Sequence, residues 1–443
     1  MSTTIKTPYT MSLNRSILRL MLPSVVSNIT VPLLGLVDLG IVGHLGNDAQ
    51  IGAIGIGTAG FNMLYWVFAF LRMGTTGLTG QAHGACDKSE CATSLLRALL
   101  TGLLFAAVIC LLQYPVLRII EFIMGPSEAV LPYYEQYFRI CIWGAPAILC
   151  SYALSGWFIG MQNTRIPMMV AIVQNVINIV MSLIFVLALD WGLKGVALGT
   201  LTGLYSGLIL AGYCAMRLWH RERLPEPEVP TLFDTNRISQ FATMNTDIFL
   251  RTLCLVSVMT FFTSAGSRQN DNILAANTIL MQFFLIFSFF IDGLGNAAEA
   301  LSGEYHGAGN SLMLRRSVRY LFLWAIFLAS SFTLLFIVGG EPLLRILTNQ
   351  EEVILTAYHY IPWVWMTPLV SVLAFVWDGI FIGLCWSRGM LFSMFIAACI
   401  FFLTYFCCFD TMQNTALWLA FVCYLGTRGV LQTILWFSPR FKK

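Results

Sequence analysis

Gly80-Gln81-Ala82-His83-Gly84-Ala85 returns later in the chain as Gly303-Glu304-Tyr305-His306-Gly307-Ala308. The second copy lies 223 residues after the first. Gly156-Trp157-Phe158-Ile159-Gly160, followed by Arg165, returns at the same offset as Gly379-Ile380-Phe381-Ile382-Gly383, followed by Arg388. Asn47-Asp48 returns as Asn270-Asp271, also at 223, and Trp143 and Pro146 return as Trp365 and Pro368 at 222. One such match carries little weight, but several at a constant offset divide a 443-residue chain into two similar halves.

Composition sets the solvent. Hydrophobic residues make up 58% and charged residues 11%, against about 25% charged in a globular protein, so the chain belongs in a membrane. A net charge of +3, with no basic run interleaved with aromatics, excludes nucleic acid as a partner. The twelve cysteines are scattered through apolar stretches without metal-ligand spacing, so they read as small apolar fillers and no metal is expected. The segment after Arg19 runs too long for a cleaved signal and reads as the first span.

A spanning helix takes ~20 apolar residues, and twelve such segments are expected, near 17–43, 53–79, 93–114, 136–160, 167–189, 193–216, 240–265, 272–300, 317–339, 357–384, 390–409 and 414–436. Six fall in each half. The expected organisation is a first lobe over 1–216, a polar linker over 217–239 and a second lobe over 240–443. With the N-terminus on the cytoplasmic side, seventeen of the 25 Lys and Arg face that side, five face out and three lie within spans. Both termini are therefore expected in the cytoplasm. Six spans per half make the repeats parallel, and a site between facing repeats is the pattern of a transporter.

Ionisable residues at bilayer depth are expensive and persist where they face a cavity or a partner. Asp38 lies in span 1 with no cation near it in sequence, which suits proton binding. The alternative is a carboxylate near the headgroups. Pro23 and Pro32 in the same span are candidate hinges or static bends. Asn175, Asn178 and Ser182 share one face of span 5, and Thr200 follows in span 6. They form either a polar wall around Asp38 or interhelical glue. In the second half, Asp292 and Glu299 share a face of span 8, Asp378 lies in span 10, and Asp247 and Arg251 have ion-pair spacing. With the membrane cations Arg72, Arg251 and Arg428, these acids form either a structural ion-pair network or a second cation or substrate site. The GxxxG pairs Gly156/Gly160 and Gly379/Gly383 read as helix-contact faces.

Pro23 through Asp38 (PSVVSNITVPLLGLVD) resembles the first helix of the multidrug and toxic compound extrusion family, in its DinF-like branch. Phe70 through Gly84 (FLRMGTTGLTGQAHG), Asn245 through Arg251 (NTDIFLR) and Trp377 through Gly383 (WDGIFIG) extend the resemblance over about 15–437. It implies an all-α membrane fold of two six-helix lobes around a V-shaped cavity, and antiport of organic, often cationic or aromatic, compounds against protons or sodium. It places Asp38 as the coupling carboxylate, Asn175, Asn178 and Thr200 as polar neighbours, and Asp378 at an acid implicated in some sodium-coupled members. Many members carry a second aspartate where this chain has Ser182. A lone carboxylate suits a proton better than sodium, which prefers several oxygens.

The expectation is thus a proton-coupled exporter of the bacterial inner membrane, monomeric, in contact with lipid, driven by an ion gradient and without cofactor. A sodium-coupled antiporter and a flippase for lipid-linked saccharides are the rivals. A flippase would need a basic cavity, and an embedded enzyme would need clustered acids such as DDxxD, a motif the sequence lacks.

Overall fold

The computed structural model describes residues 13–43, 48–226, 232 and 234–438. Fifteen α-helices order the described chain. In the first half they are α1 (Leu13–Gly43), α2 (Asp48–Val67), α3 (Phe70–Gly84), α4 (Lys88–Leu111), α5 (Gln113–Met124), α6 (Leu131–Cys141), α7 (Ala145–Gly160), α8 (Arg165–Leu183) and α9 (Gly192–Glu222). The second half holds α10 (Thr235–Ser267), α11 (Asp271–Gly307), α12 (Ser311–Leu347), α13 (Glu351–Gly383), α14 (Ser387–Met412) and α15 (Asn414–Phe437). Eleven segments among the described residues are long and apolar enough to cross a membrane, with α2–α3 and α6–α7 each counting as one. With the 31-residue α1 they make the twelve expected crossings.

The duplication extends to helix ends. Asp48–Gly84 and Asp271–Gly307 are both 37 residues long and 223 apart. The 37-residue α12 covers, at the same offset, the stretch that the first half breaks at Leu112 into α4 and α5. Left-handed backbone recurs at Cys86 (φ 58°) and Gly309 (φ 65°), at Gln162 (60°) and Cys385 (56°), and at Asp190 (56°) and Gln413 (46°), each pair 223 apart. Asp87 caps α4 through the Glu90 N–H at 2.9 Å, and Asn310 caps α12 through the Met313 N–H at 3.0 Å, again at 223. Asn270 caps α11 in the same way through Ile273 (2.7 Å), while its mate Asn47 lies outside the described residues.

Within each repeat a GxxxG pair seats one crossing on another. A side chain at Gly156 would strike the Arg72 carbonyl and Thr75 Cβ of α3, and one at Gly379 would strike the Gly295 carbonyl and Ala298 Cβ of α11. Gly160 meets Thr79, and Gly383 meets Ser302. Every partner is shifted by 223. This is the close backbone approach that small residues allow in a membrane.

Between repeats, contact is concentrated toward one side, here called the terminal side because α1 starts and α15 ends there, and it continues along α1 and α11 as far as Asn28, which donates to the Phe289 carbonyl at 3.1 Å. On the terminal side α3 packs on α10, α11 and α13, whereas α2, the other half of its crossing, barely meets the second repeat. Gly80 lies against Gly303 Cα (3.4 Å from an added Cβ) and Gly303 against Gly80 Cα (3.2 Å). Gly84 abuts the Glu304 carbonyl, and Gly307 abuts the Gln81 carbonyl. These contacts are reciprocal, as a two-fold axis requires. The lobes converge on the terminal side and diverge on the other, giving the V shape. The connection between repeats is compact: α9 continues to Glu222 and α10 starts at Thr235, both inside the expected 217–239 linker.

Candidate functional site

Pro32 and Asp38 belong to α1, but their side chains lie outside the described residues. Pro23 is described. A proline leaves the carbonyl four residues earlier without its helical donor. At Pro23 that carbonyl belongs to Arg19, and it accepts from the Thr164 hydroxyl at 3.4 Å. This segment of α1 is thus tied to the turn before α8.

The polar residues of the first repeat divide into two groups. Asn175 of α8 donates to the Thr30 carbonyl of α1 at 3.1 Å. Asn178 is buried and reaches Thr200 Oγ1 of α9 at 3.5 Å, and Ser182, fully buried, donates to Asn178 Oδ1 at 3.1 Å. Gly199 and Gly203 let α9 approach this row, because a Cβ there would overlap Ser182 and Asn178. Asn175 therefore faces α1, while Asn178, Ser182 and Thr200 bond among themselves between α8 and α9.

In the second repeat the acids have different fates. Asp378 of α13 accepts from Arg251 of α10 and Arg428 of α15, and from Gln432 Nε2 at 2.6 Å. All four side chains are buried. Glu299 of α11 pairs with Arg72 of α3 at 3.1 Å, and Arg72 also donates to Asn296 Oδ1 at 3.0 Å. This ion pair crosses between repeats, with Glu299 4% and Arg72 22% exposed. The Asp247–Arg251 pair expected from i, i+4 spacing does not form. Arg251 turns to Asp378, and Asp247 accepts from Ser387 Oγ at 2.6 Å. Asp292 is exposed and makes no hydrogen bond or ion pair among the described residues.

Asn296 and Gln432 escaped the sequence reading. Asn296 is four residues from Asp292 and Gln432 four from Arg428, so helical periodicity places each beside a charged residue. Two more interlobe bonds were also missed: Gln81 Nε2 donates to the Gly383 carbonyl at 3.0 Å, and Gln162 Nε2 to the Ala300 carbonyl at 2.6 Å.

Two parallel six-span repeats, joined on one side of the membrane and carrying charges at mid-depth, define an integral membrane protein of the transporter class. The chain belongs to the MatE family, whose model matches residues 23–184 and 248–407, one segment in each repeat. Members of that family are transporters rather than enzymes. The chain is 33% identical to DNA damage-inducible protein F of Escherichia coli K12 over 96% of its own length and 92% of that protein's. It superposes on a Vibrio cholerae MATE transporter solved in a bent form with a TM-score of 0.83 at 18% identity, covering 96% of each chain. A multidrug resistance MATE transporter solved in an outward-facing conformation gives 0.81 at 17% identity, covering 97% and 96%.

Proposed function

We propose that this protein is a secondary antiporter that exports organic compounds, cationic or aromatic, in exchange for protons, with Asp38 as the coupling carboxylate. The observation that carries the proposal is the interface between repeats. It is concentrated toward the terminal side and built from glycine contacts, from polar links that include Gln81–Gly383, Gln162–Ala300, Arg72–Asn296 and Asn28–Phe289, and from the ion pairs Arg72–Glu299 and Glu90–Arg237. Such an interface can open on one side as the lobes close on the other, which is alternating access. The family and the multidrug resistance relative support the substrate class.

Asn175, Asn178, Ser182 and Thr200 bring hydroxyls and amides but no second carboxylate, which favours a proton over sodium. The distribution of Lys and Arg supports a topology in a bacterial inner membrane with the termini and the closed side facing the cytoplasm. The protein works as a monomer in lipid, and the ion gradient supplies the energy without a cofactor. Proteoliposomes carrying the full chain test this with pH and sodium gradients imposed separately and ethidium as the transported cation. The pH gradient should drive transport, and Asp38→Asn should lower that rate at least tenfold while the protein remains folded. Unchanged pH-driven transport in the variant would remove Asp38 from the mechanism. Transport driven by sodium alone would replace the proton as the coupling ion.

A further inference from the structure

Four acids of the second repeat lie within its spans, and three are engaged. Asp247 is held by Ser387, Glu299 by Arg72, and Asp378 by Arg251, Arg428 and Gln432. Asp292 has no such partner among the described residues, yet it is exposed. It lies 15 residues from the terminal-side end of α11, roughly 20 Å along the helix. At that depth exposure means a face turned to the space between lobes or to lipid. Its neighbours decide between the two. Asp292, Asn296 and Glu299 form one stripe at i, i+4 and i+7, and Arg72 of the other repeat bonds the last two. Asp292 is therefore one turn above the floor of the cavity, on its open side.

The charged groups around Asp292 are Arg72 of α3, Arg428 of α15, Arg251 of α10 and Glu299 of its own helix. Asp378 of α13 joins them through the two arginines it holds. Among the described residues, α1 and α12 bring no ionisable side chain to this depth, and α7 brings only Cys150 and Tyr152. Three guanidinium groups thus balance three carboxylates when Asp292 is ionised. A proton on Asp292 leaves one positive charge in excess, and so does a cation bound beside it. Both together would leave two, and like charges repel strongly where water is scarce. Proton and cation exclude one another here.

A metal ion is a poor occupant. It needs several oxygens, and the nearby Asn296 oxygen is committed to Arg72. A bulky monovalent organic cation needs one counter-charge and no coordination shell.

We propose that Asp292 is the binding carboxylate of the second repeat for the cationic centre of the exported compound, and that a proton displaces the compound there. The proposal rests on the antiport reading above. It also separates Asp292 from Asp378, whose carboxylate is already saturated by arginine.

The test is equilibrium binding of tetraphenylphosphonium to the purified full-length protein between pH 5.5 and 8.5. Wild-type affinity should fall at least tenfold from pH 8.5 to pH 5.5. Asp292→Asn should bind at least tenfold more weakly at pH 8.5 and lose the pH dependence, while Asp292→Glu should keep both. Asp292→Ser serves as a second neutral variant, and an uncharged aromatic probe should bind all four proteins alike. Wild-type affinity and pH dependence in either neutral variant would overturn the proposal, as would a wild-type protein that does not bind the probe at pH 8.5. Unaffected proton-driven efflux in Asp292→Asn, with Asp38→Asn inactive, would sink Asp292 and leave the antiport reading standing.

Discussion

At the scale of single residues, the Arg72–Glu299 pair has two unequal partners. Glu299 is enclosed, whereas Arg72 is partly exposed. Removing the arginine leaves a buried carboxylate without its cation, a defect worth ~3–5 kcal/mol when uncompensated. Removing the carboxylate leaves an arginine that water can reach. Arg72→Gln should therefore lower the melting temperature in detergent more than Glu299→Gln. The double variant should lose less than the two single losses combined, because neither charge is then stranded. Equal losses from the single variants, adding in the double, would show that the pair does not couple the repeats. Asp378 has a different role. Two guanidinium groups converge on it from α10 and α15, so it joins three helices of one repeat instead of joining the repeats.

At the scale of helices, glycine spacing decides which faces meet. Gly156 and Gly160 hold α7 on α3, and Gly379 and Gly383 hold α13 on α11. Gly80, Gly84, Gly303 and Gly307 hold α3 on α11 across the two-fold. In the proposed alternating-access cycle the last group matters for motion, since its contacts would exist only while the terminal side is closed. Gly84→Ala would put a methyl group into the Glu304 carbonyl, and overpacking of that kind costs about 1–3 kcal/mol. Where the lobes have parted the methyl meets nothing, so the cost falls on one conformation and shifts the population. Hydrogen exchange followed by mass spectrometry should show deuterium uptake rising several-fold over residues 77–88 and 300–311. Uptake identical to wild type would mean that α3 and α11 adjust in place and that the glycine contact is not the closure.

At the scale of the whole molecule, orientation follows from charge. The connection between repeats is strapped to the first repeat at the terminal side. Arg97 Nε donates to the Leu232 carbonyl at 3.0 Å, Glu90 pairs with Arg97 at 2.7 Å and with Arg237 at 4.0 Å, and Lys88 Nζ donates to the Glu222 carbonyl at 2.6 Å. By the positive-inside rule, the basic residues gathered on this side lead to the expectation that it faces the cytoplasm. A green fluorescent protein fused after Lys443 should fluoresce, and alkaline phosphatase fused at the same point should be inactive. The reverse pattern would invert the topology, and with it the direction in which the V opens.

Much of this architecture is legible in the sequence because membrane folding is dominated by rules local in the chain. A run of ~20 apolar residues must form a helix to satisfy its own backbone, so twelve crossings can be counted without coordinates. A duplicated gene keeps its spacing, so the offset of 223 between the two Gly-x-x-His-Gly motifs already contained the two-fold axis that Gly80 and Gly303 occupy. The ionisable residues Arg72, Arg251, Asp292, Glu299, Asp378 and Arg428 were visible as a costly set for the same reason.

What the sequence left open was which of them pair. Asp247 and Arg251 had the spacing of an ion pair, yet Arg251 takes Asp378, 127 residues away, because a buried charge goes to whichever counter-charge the tertiary packing encloses with it. Helical periodicity put Asp292 and Glu299 on one face, but only the approach of α3 from the other repeat gave Glu299 an arginine and left Asp292 exposed without a partner. Periodicity follows from the chain's own hydrogen bonding. Pairing depends on distances between helices that no local rule sets.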